Sequence, residues 1–355
     1  MPDQQEQDLK SRKFYWKSIQ DAFIKETENR LSIDVTKLCG YGIKPLDAAL
    51  TCIGKNELIV IGADSGVGKT ELALTIASYN AKKGKRVCLY SLEGGYLEAI
   101  SRIKWRDITN LYYSDEKYYG LGIDMNYKKW ALNMLNHPVL TEIHNSIWEK
   151  YKESYKNNLF IYSQNTGLNF EDFFASIIEF HKLENIFTST GFFDLDLIII
   201  DHLQYFTLTQ KENEISEMTN ILKEVKKITE MYKIPVILIS HLRKKNKDRG
   251  IPDQEDFYGT SNIPKISNTS IVIASATDKD NLSKNVFPTY FRVVKSRVGI
   301  RPNYAMLVDF DLNTRSYKEN YEIYKLDSYG NVKEEPLSTE ELPKWAIYIE
   351  KTSKE

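Results

Sequence analysis

Residues 63 to 70 read Ala-Asp-Ser-Gly-Val-Gly-Lys-Thr and stand between the apolar run Leu58-Ile59-Val60-Ile61 and a helical pattern, Leu72, Ala73, Leu74, Ile76 and Ala77. A buried strand, a glycine-rich turn and a helix start in that order aim backbone N–H groups at one point. The helix adds its partial positive charge behind them. Gly66 and Gly68 permit the tight turn, Lys69 is placed to reach the β- and γ-phosphates of a nucleotide, and Thr70 to ligate Mg²⁺. The strict pattern opens on glycine. Ala63 holds that place here, and Gly62 falls one residue early. The plain alternative is a glycine-rich turn with a solvated lysine, but strand, loop, Gly-Lys-Thr and helix together weigh against it. The expected nucleotide site is therefore Ala63, Asp64, Ser65, Gly66, Val67, Gly68, Lys69 and Thr70, taking ATP or another nucleoside triphosphate with Mg²⁺.

The chain has 355 residues, enough for one extended α/β domain of about 250 to 300 residues after a short arm. Lys plus Arg number 48 and Asp plus Glu 49, so contact with nucleic acid has to come from a local patch. Cys39, Cys52 and Cys88 show no Cys-x-x-Cys or histidine pairing, which argues against zinc and suits a reducing cytoplasm. The stretch Pro2 to Lys13 is polar, and apolar runs elsewhere fall well short of the ~18 residues of a membrane span. A cytoplasmic protein without a membrane partner is expected, phage- or plasmid-encoded origin being compatible with that.

Short runs rich in Ile, Val and Leu recur at Leu58–Ile61, Val87–Tyr90, Leu197–Ile200, Val236–Ile239, Ile271–Ile273 and Phe291–Val294. Continuous apolarity suits strands covered on both faces. The expected fold class is α/β, with a central, mostly parallel sheet flanked by helices. Helices are predicted over Glu71–Lys82, ending at Gly84, and over Glu217–Tyr232. Residues 1–40 read as an N-terminal arm, amphipathic over 10–31, that packs either on its own domain or on a neighbouring subunit. Residues 106–165 read as a helical insertion whose aromatics suit a local core better than a base stack. The main domain is expected over 41–317, with a polar C-terminal tail over 318–355.

Carboxylates and cations punctuate the strand ends. Asp201 closes the run Leu197–Ile200, where an acid sits beside a nucleotide's Mg²⁺. Glu93 follows Val87–Tyr90 and is the candidate general base. His241 ends Val236–Ile239 as a candidate γ-phosphate sensor, whereas His202 reads as scaffold. Arg243, Lys244, Lys245, Lys247 and Arg249 crowd one turn-rich segment, the candidate grip on a DNA backbone. Lys295 and Arg297 share one side of an extended segment; they either enter a neighbour's site as finger residues, if the strand lies at a subunit edge, or stand as two solvated cations on an exposed hairpin, and spacing alone does not decide between these.

In order, these motifs resemble the RecA-like motor domain of DnaB-type replicative helicases, including phage and mitochondrial relatives. The likeness runs from about Tyr41 to Tyr317. Tyr41-Gly42-Ile43-Lys44-Pro45-Leu46-Asp47 is similar to the family's lead-in, and alanine is common there at the first loop position. Ser91-Leu92-Glu93 is similar to the segment holding the catalytic base. Ile200-Asp201-His202-Leu203-Gln204 departs from its counterpart by having His202 in place of tyrosine. Ser240-His241-Leu242-Arg243-Lys244 is close to the phosphate-sensor segment. Lys295-Ser296-Arg297-Val298-Gly299 matches the motif supplying a trans-acting lysine and arginine finger. The segment Glu255–Ile263 stands where the family has a DNA-binding loop and departs from it by having Tyr258 where arginine is usual. The resemblance implies a ring, a hexamer, that hydrolyses ATP with Mg²⁺ at subunit interfaces, moves 5′ to 3′ on single-stranded DNA and opens forks. It leaves primase or a helicase loader as candidate partners. A RecA- or KaiC-type recombination or regulatory ATPase, and a helicase accessory or loader module, stay open as alternatives.

Overall fold

The computed structural model describes residues 18–64, 66–163, 168–183, 195–206, 214–243, 250–259, 261–276, 285–297, 303–333 and 335–346. The chain divides into two compact units, Met1–Leu38 and Cys39–Glu355. In the first, helix α1 (Ile19–Leu31) starts at Ser18, whose hydroxyl accepts the Asp21 N–H at 3.1 Å, and it buries no residue.

The second unit is built on one sheet with strand order β3-β2-β4-β5-β1-β6-β7-β8-β9. Strands β1 (Leu58–Ala63), β2 (Val87–Ser91), β4 (Leu197–Asp201) and β5 (Val236–His241) are parallel, with β3 (Leu159–Tyr162) at one edge and β6 (Thr269–Ser275) on the far side of β1. Every residue of β1, β2 and β4 is buried, which explains their unbroken apolar composition. The residues alternate between two cores. Ile59 and Ile61 face one, with Leu72, Ile76, Ile199 and Ile237, while Leu58 and Val60 face the other, with Leu222, Val225, Ile198 and Val236. Burial of each such side chain contributes about 1.5–3 kcal/mol.

Helix α2 (Lys44–Leu50) precedes β1, and α3 (Lys69–Lys82) follows it directly. Helices α4 (Tyr96–Ser114), α5 (Tyr127–Ala131) and α6 (Pro138–Asn158) occupy most of the 106–165 segment. They enclose a core of their own from Trp105, Ile108, Tyr112, Tyr118, Met125, Leu140, Ile143 and Ile147. Helices α7 (Phe170–Leu183), α8 (Glu214–Tyr232) and α9 (Ile263–Ile266) complete the described helices. None of the described helices is long and apolar enough to cross a membrane.

Beyond β6 the sheet turns antiparallel through β7 (Val286–Ser296), β8 (Tyr304–Asp311) and β9 (Ser316–Lys325). β9 carries the sheet past residue 317, into the stretch read from sequence as a polar tail. Its pattern is that of a strand half in water: Tyr317, Tyr321 and Ile323 turn inward while Lys318, Glu319 and Glu322 are exposed.

Candidate active site

The order β2-β4-β5-β1 lines up four strand ends. Ala63 on β1 sits opposite His241 on β5, and Asp201 on β4 sits opposite Ser91 on β2. The loop that follows β1 makes its turn with Gly66 at φ +83° and Gly68 at φ +97°. A side chain at either position would be strained, although no atom lies within 4 Å of where a Gly66 Cβ would stand. Gly68 caps α3, so Lys69 and Thr70 open the helix.

Around this loop lies a cavity of about 500 Å³. Gly66, Gly68, Lys69, Thr70, Glu93 and His241 form one part of its lining, and Phe287, Phe310, Leu312 and Arg315 another. The Lys69 amine is buried and lies 2.8 Å from His241 Nδ1, 3.3 Å from the Asp64 carbonyl and 3.5 Å from that of Ala63. Burial lowers its pKa, opposed by Glu93, Asp201 and Asp64. Burial, and next Lys69, also lower that of His241, which favours a neutral ring whose Nδ1 accepts from the lysine. The His241 N–H donates to Gln204 Oε1 at 3.2 Å, and the Gln204 amide donates to Ser240 Oγ at 3.0 Å.

Asp201 is 2 % exposed. The Thr70 hydroxyl bonds its carboxylate, yet Oδ1 has no hydrogen-bond partner among the described residues. Desolvation pushes its pKa up to about 6. A buried carboxylate oxygen without a donor, beside a threonine at a helix start, fits Mg²⁺, which keeps most of its waters and takes one or two protein oxygens. Thr70 and Asp201 are the residues that would hold it.

A pH effect follows from that burial. The native group keeps its proton between its unfolded value near 3.9 and about 6, so the native state binds more protons there and stability falls as pH rises through that window. In metal-free protein, Asp201→Asn is expected to raise the melting midpoint at pH 7.5, with the gain vanishing below about pH 4. An unchanged midpoint at pH 7.5 would show that the carboxylate bears no desolvation cost.

Glu93 is half exposed, and His202 Nε2 lies 3.4 Å from its Oε2. Burial drives the His202 pKa down to about 4, so this is a contact of a neutral ring and not an ion pair. The rings of His202 and His241 meet edge to face at 4.4 Å.

Several expected residues lie apart from this group. Lys295 donates to the carbonyls of Pro264 and Ser267, the latter at 2.6 Å, and Arg297 is exposed at the end of β7. Arg243 is exposed, and its N–H donates to Asp256 O at 2.7 Å, beside exposed Tyr258. Ser65, Lys244, Lys245, Lys247 and Arg249 lie outside the described residues.

The sequence reading missed Glu71, Arg102 and Arg315. Glu71 is buried in the first turn of α3 and holds three guanidiniums from two places: Arg102 and Arg106 on α4 and Arg315 in the β8–β9 turn. An acid just after Gly-Lys-Thr reads as a partner of the helix dipole, and nothing local in the sequence links residue 71 to residue 315.

The profile of a family described as "AAA domain" matches residues 49–247. The chain belongs to this family. The AAA-family match covers the phosphate loop, Glu93, Asp201 and His241. Over 224 residues the chain is 26% identical to "Probable plasmid replicative DNA helicase" of Chlamydia psittaci, covering 62% of this chain and 43% of that protein. Over 239 residues it is 28% identical to "Replicative DNA helicase DnaC" of Bacillus subtilis (strain 168), covering 66% and 44%. The chain thus spans under half the length of these curated relatives. Among solved structures, "ATPase Domain of G40P" superposes with a TM-score of 0.66 at 18% identity, covering 86% of this chain and 100% of that one. A DnaB-like replicative helicase, described with its interactions with primase, gives 0.60 at 17%, covering 90% and 67%. The resemblance to DnaB-type helicases and the RecA-like ATPase fold are both borne out.

Proposed function

We propose that the chain is the motor of a replicative DNA helicase, hydrolysing ATP or another nucleoside triphosphate to move 5′ to 3′ along single-stranded DNA and separate duplex in the cytoplasm. The observation that carries the reading is the row of strand ends at which the phosphate loop, Asp201, Glu93 and His241 meet. Phosphoryl transfer needs positioning and charge stabilisation more than covalent chemistry, and the row would supply both.

In this reading the loop N–H groups and Lys69 bind the triphosphate. Glu93, within the same cavity and open to solvent, orients water and takes its proton. His241, tied to Lys69 on one side and to Gln204 on the other, would register the γ-phosphate. Mg²⁺ held by Thr70 and Asp201 would neutralise charge developing on the β- and γ-oxygens. Arg243, Lys244, Lys245, Lys247 and Arg249 would follow the DNA backbone. Lys295 and Arg297, lying apart from their own chain's cavity, would complete that of a neighbour. A ring of head-to-tail copies, a hexamer, satisfies that geometry. The names of the relatives favour a replicative role, with primase or a loader as candidate partners.

The test is steady-state hydrolysis with and without single-stranded DNA. Stimulation of about tenfold or more is expected, followed by strand separation on forked substrates. Hydrolysis indifferent to DNA would replace this reading with that of a regulatory ATPase, and its absence with that of an accessory module.

A further inference from the structure

Arg315 occupies an unusual position. It stands in the turn between β8 and β9 with φ +52°, a conformation costly for a side chain of its size. The turn is held from outside by α4. Trp105 Nε1 donates to Asn313 O at 2.6 Å, Thr109 Oγ1 to Thr314 O at 3.2 Å, and Arg106 Nε to Arg315 O at 2.7 Å. The guanidinium is then fixed on two sides. Its Nε donates to Glu71 Oε1 at 2.8 Å, and its Cζ lies 4.4 Å from the centre of the Tyr127 ring. So placed, it lines the nucleotide cavity beside Arg102.

The charges do not balance locally. Glu71 is one buried carboxylate shared by three guanidiniums, and Glu98, half exposed, is the second acid on Arg102. Arg102 Nε and Arg106 Nη1 are buried without hydrogen-bond partners among the described residues. Buried cations short of counter-charge are costly unless an anion completes them. Two of the three guanidiniums, those of Arg102 and Arg315, border the cavity that holds Lys69 and Thr70.

We propose that Arg315 is a phosphate-binding residue acting within its own subunit: held by Glu71, it contacts the phosphate groups of a nucleoside polyphosphate bound at the loop. This deepens the reading of the site given above and rests on it. It differs from the role proposed for Arg297, since Arg315 lines the cavity of its own chain.

The experiment is direct titration of the full chain with ADP and, separately, with adenosine, by calorimetry. Arg315→Ala is expected to weaken ADP binding about tenfold and to leave adenosine binding unchanged, because the lost contact is with phosphate. Arg315→Gln keeps a polar side chain with an N–H donor group while removing the charge. It is expected to give the same split, and supplies the readout should the alanine variant fold poorly. Wild-type protein that binds ADP with variants that bind it equally well overturns the proposal while sparing the nucleotide site. Equal loss for ADP and adenosine also overturns it, since a contact with the nucleoside or a general loosening of the cavity would act on both. Wild-type protein that binds no nucleotide overturns the reading of the site itself.

Discussion

Replacing Lys69 with alanine is expected to bring nucleotide hydrolysis down by at least 10²–10³-fold, the order found when one preorganised donor to developing charge is removed. The amine is fixed before any substrate arrives, by His241 and by the loop carbonyls of Ala63 and Asp64. The fold should not suffer, because burial already penalises this charge. The check is phosphate release at saturating nucleotide and Mg²⁺, with the melting midpoint measured alongside. Turnover above one tenth of wild type would remove Lys69 from the chemistry.

The largest effect on stability is expected at Glu71. Glu71→Ala leaves three guanidiniums around an empty space. Breaking a buried ion pair from one side costs about 3–5 kcal/mol, against a total stability of only about 5–15 kcal/mol. The damage should spread, because Glu71 connects α3, α4 and the β8–β9 turn at a single carboxylate. Equilibrium urea unfolding would measure it. A loss below about 1 kcal/mol would mean that the three arginines find water at little cost, as surface pairs do.

How much of this was legible in the sequence depends on the distance over which each feature is written. The strands of the parallel half announce themselves because both faces are covered, so Ile198, Ile199 and Ile200 need no alternation. Once those strands are placed, the residues just past their ends fall into one row. Asp201, Glu93 and His241 could therefore be brought to the phosphate loop from local pattern alone. Two strands were harder: β3, at the edge of the parallel half, is four residues long and follows α6 without a break, and antiparallel β9 mixes tyrosines with charges. His202 read as scaffold, yet its ring meets that of His241 and approaches Glu93. The arginine cluster could not be read at all, because its members are joined by the fold across a separation of 244 residues.

The two margins of the sheet bear on how copies of the chain can associate. An uncovered strand edge invites pairing with another chain, and proteins guard against it with short strands, charge or cover. Here one margin is the short β3. The other, β9, exposes Lys318, Glu319 and Glu322, and the chain's own later residues lie along part of it, with Lys333 and Leu337 donating to the carbonyls of Lys325 and Ile323. Both margins are thus defended against runaway polymerisation by strand addition. A second copy of the chain would then have to be met by side-chain surfaces, where contacts can dissolve and re-form while the sheet itself stays intact.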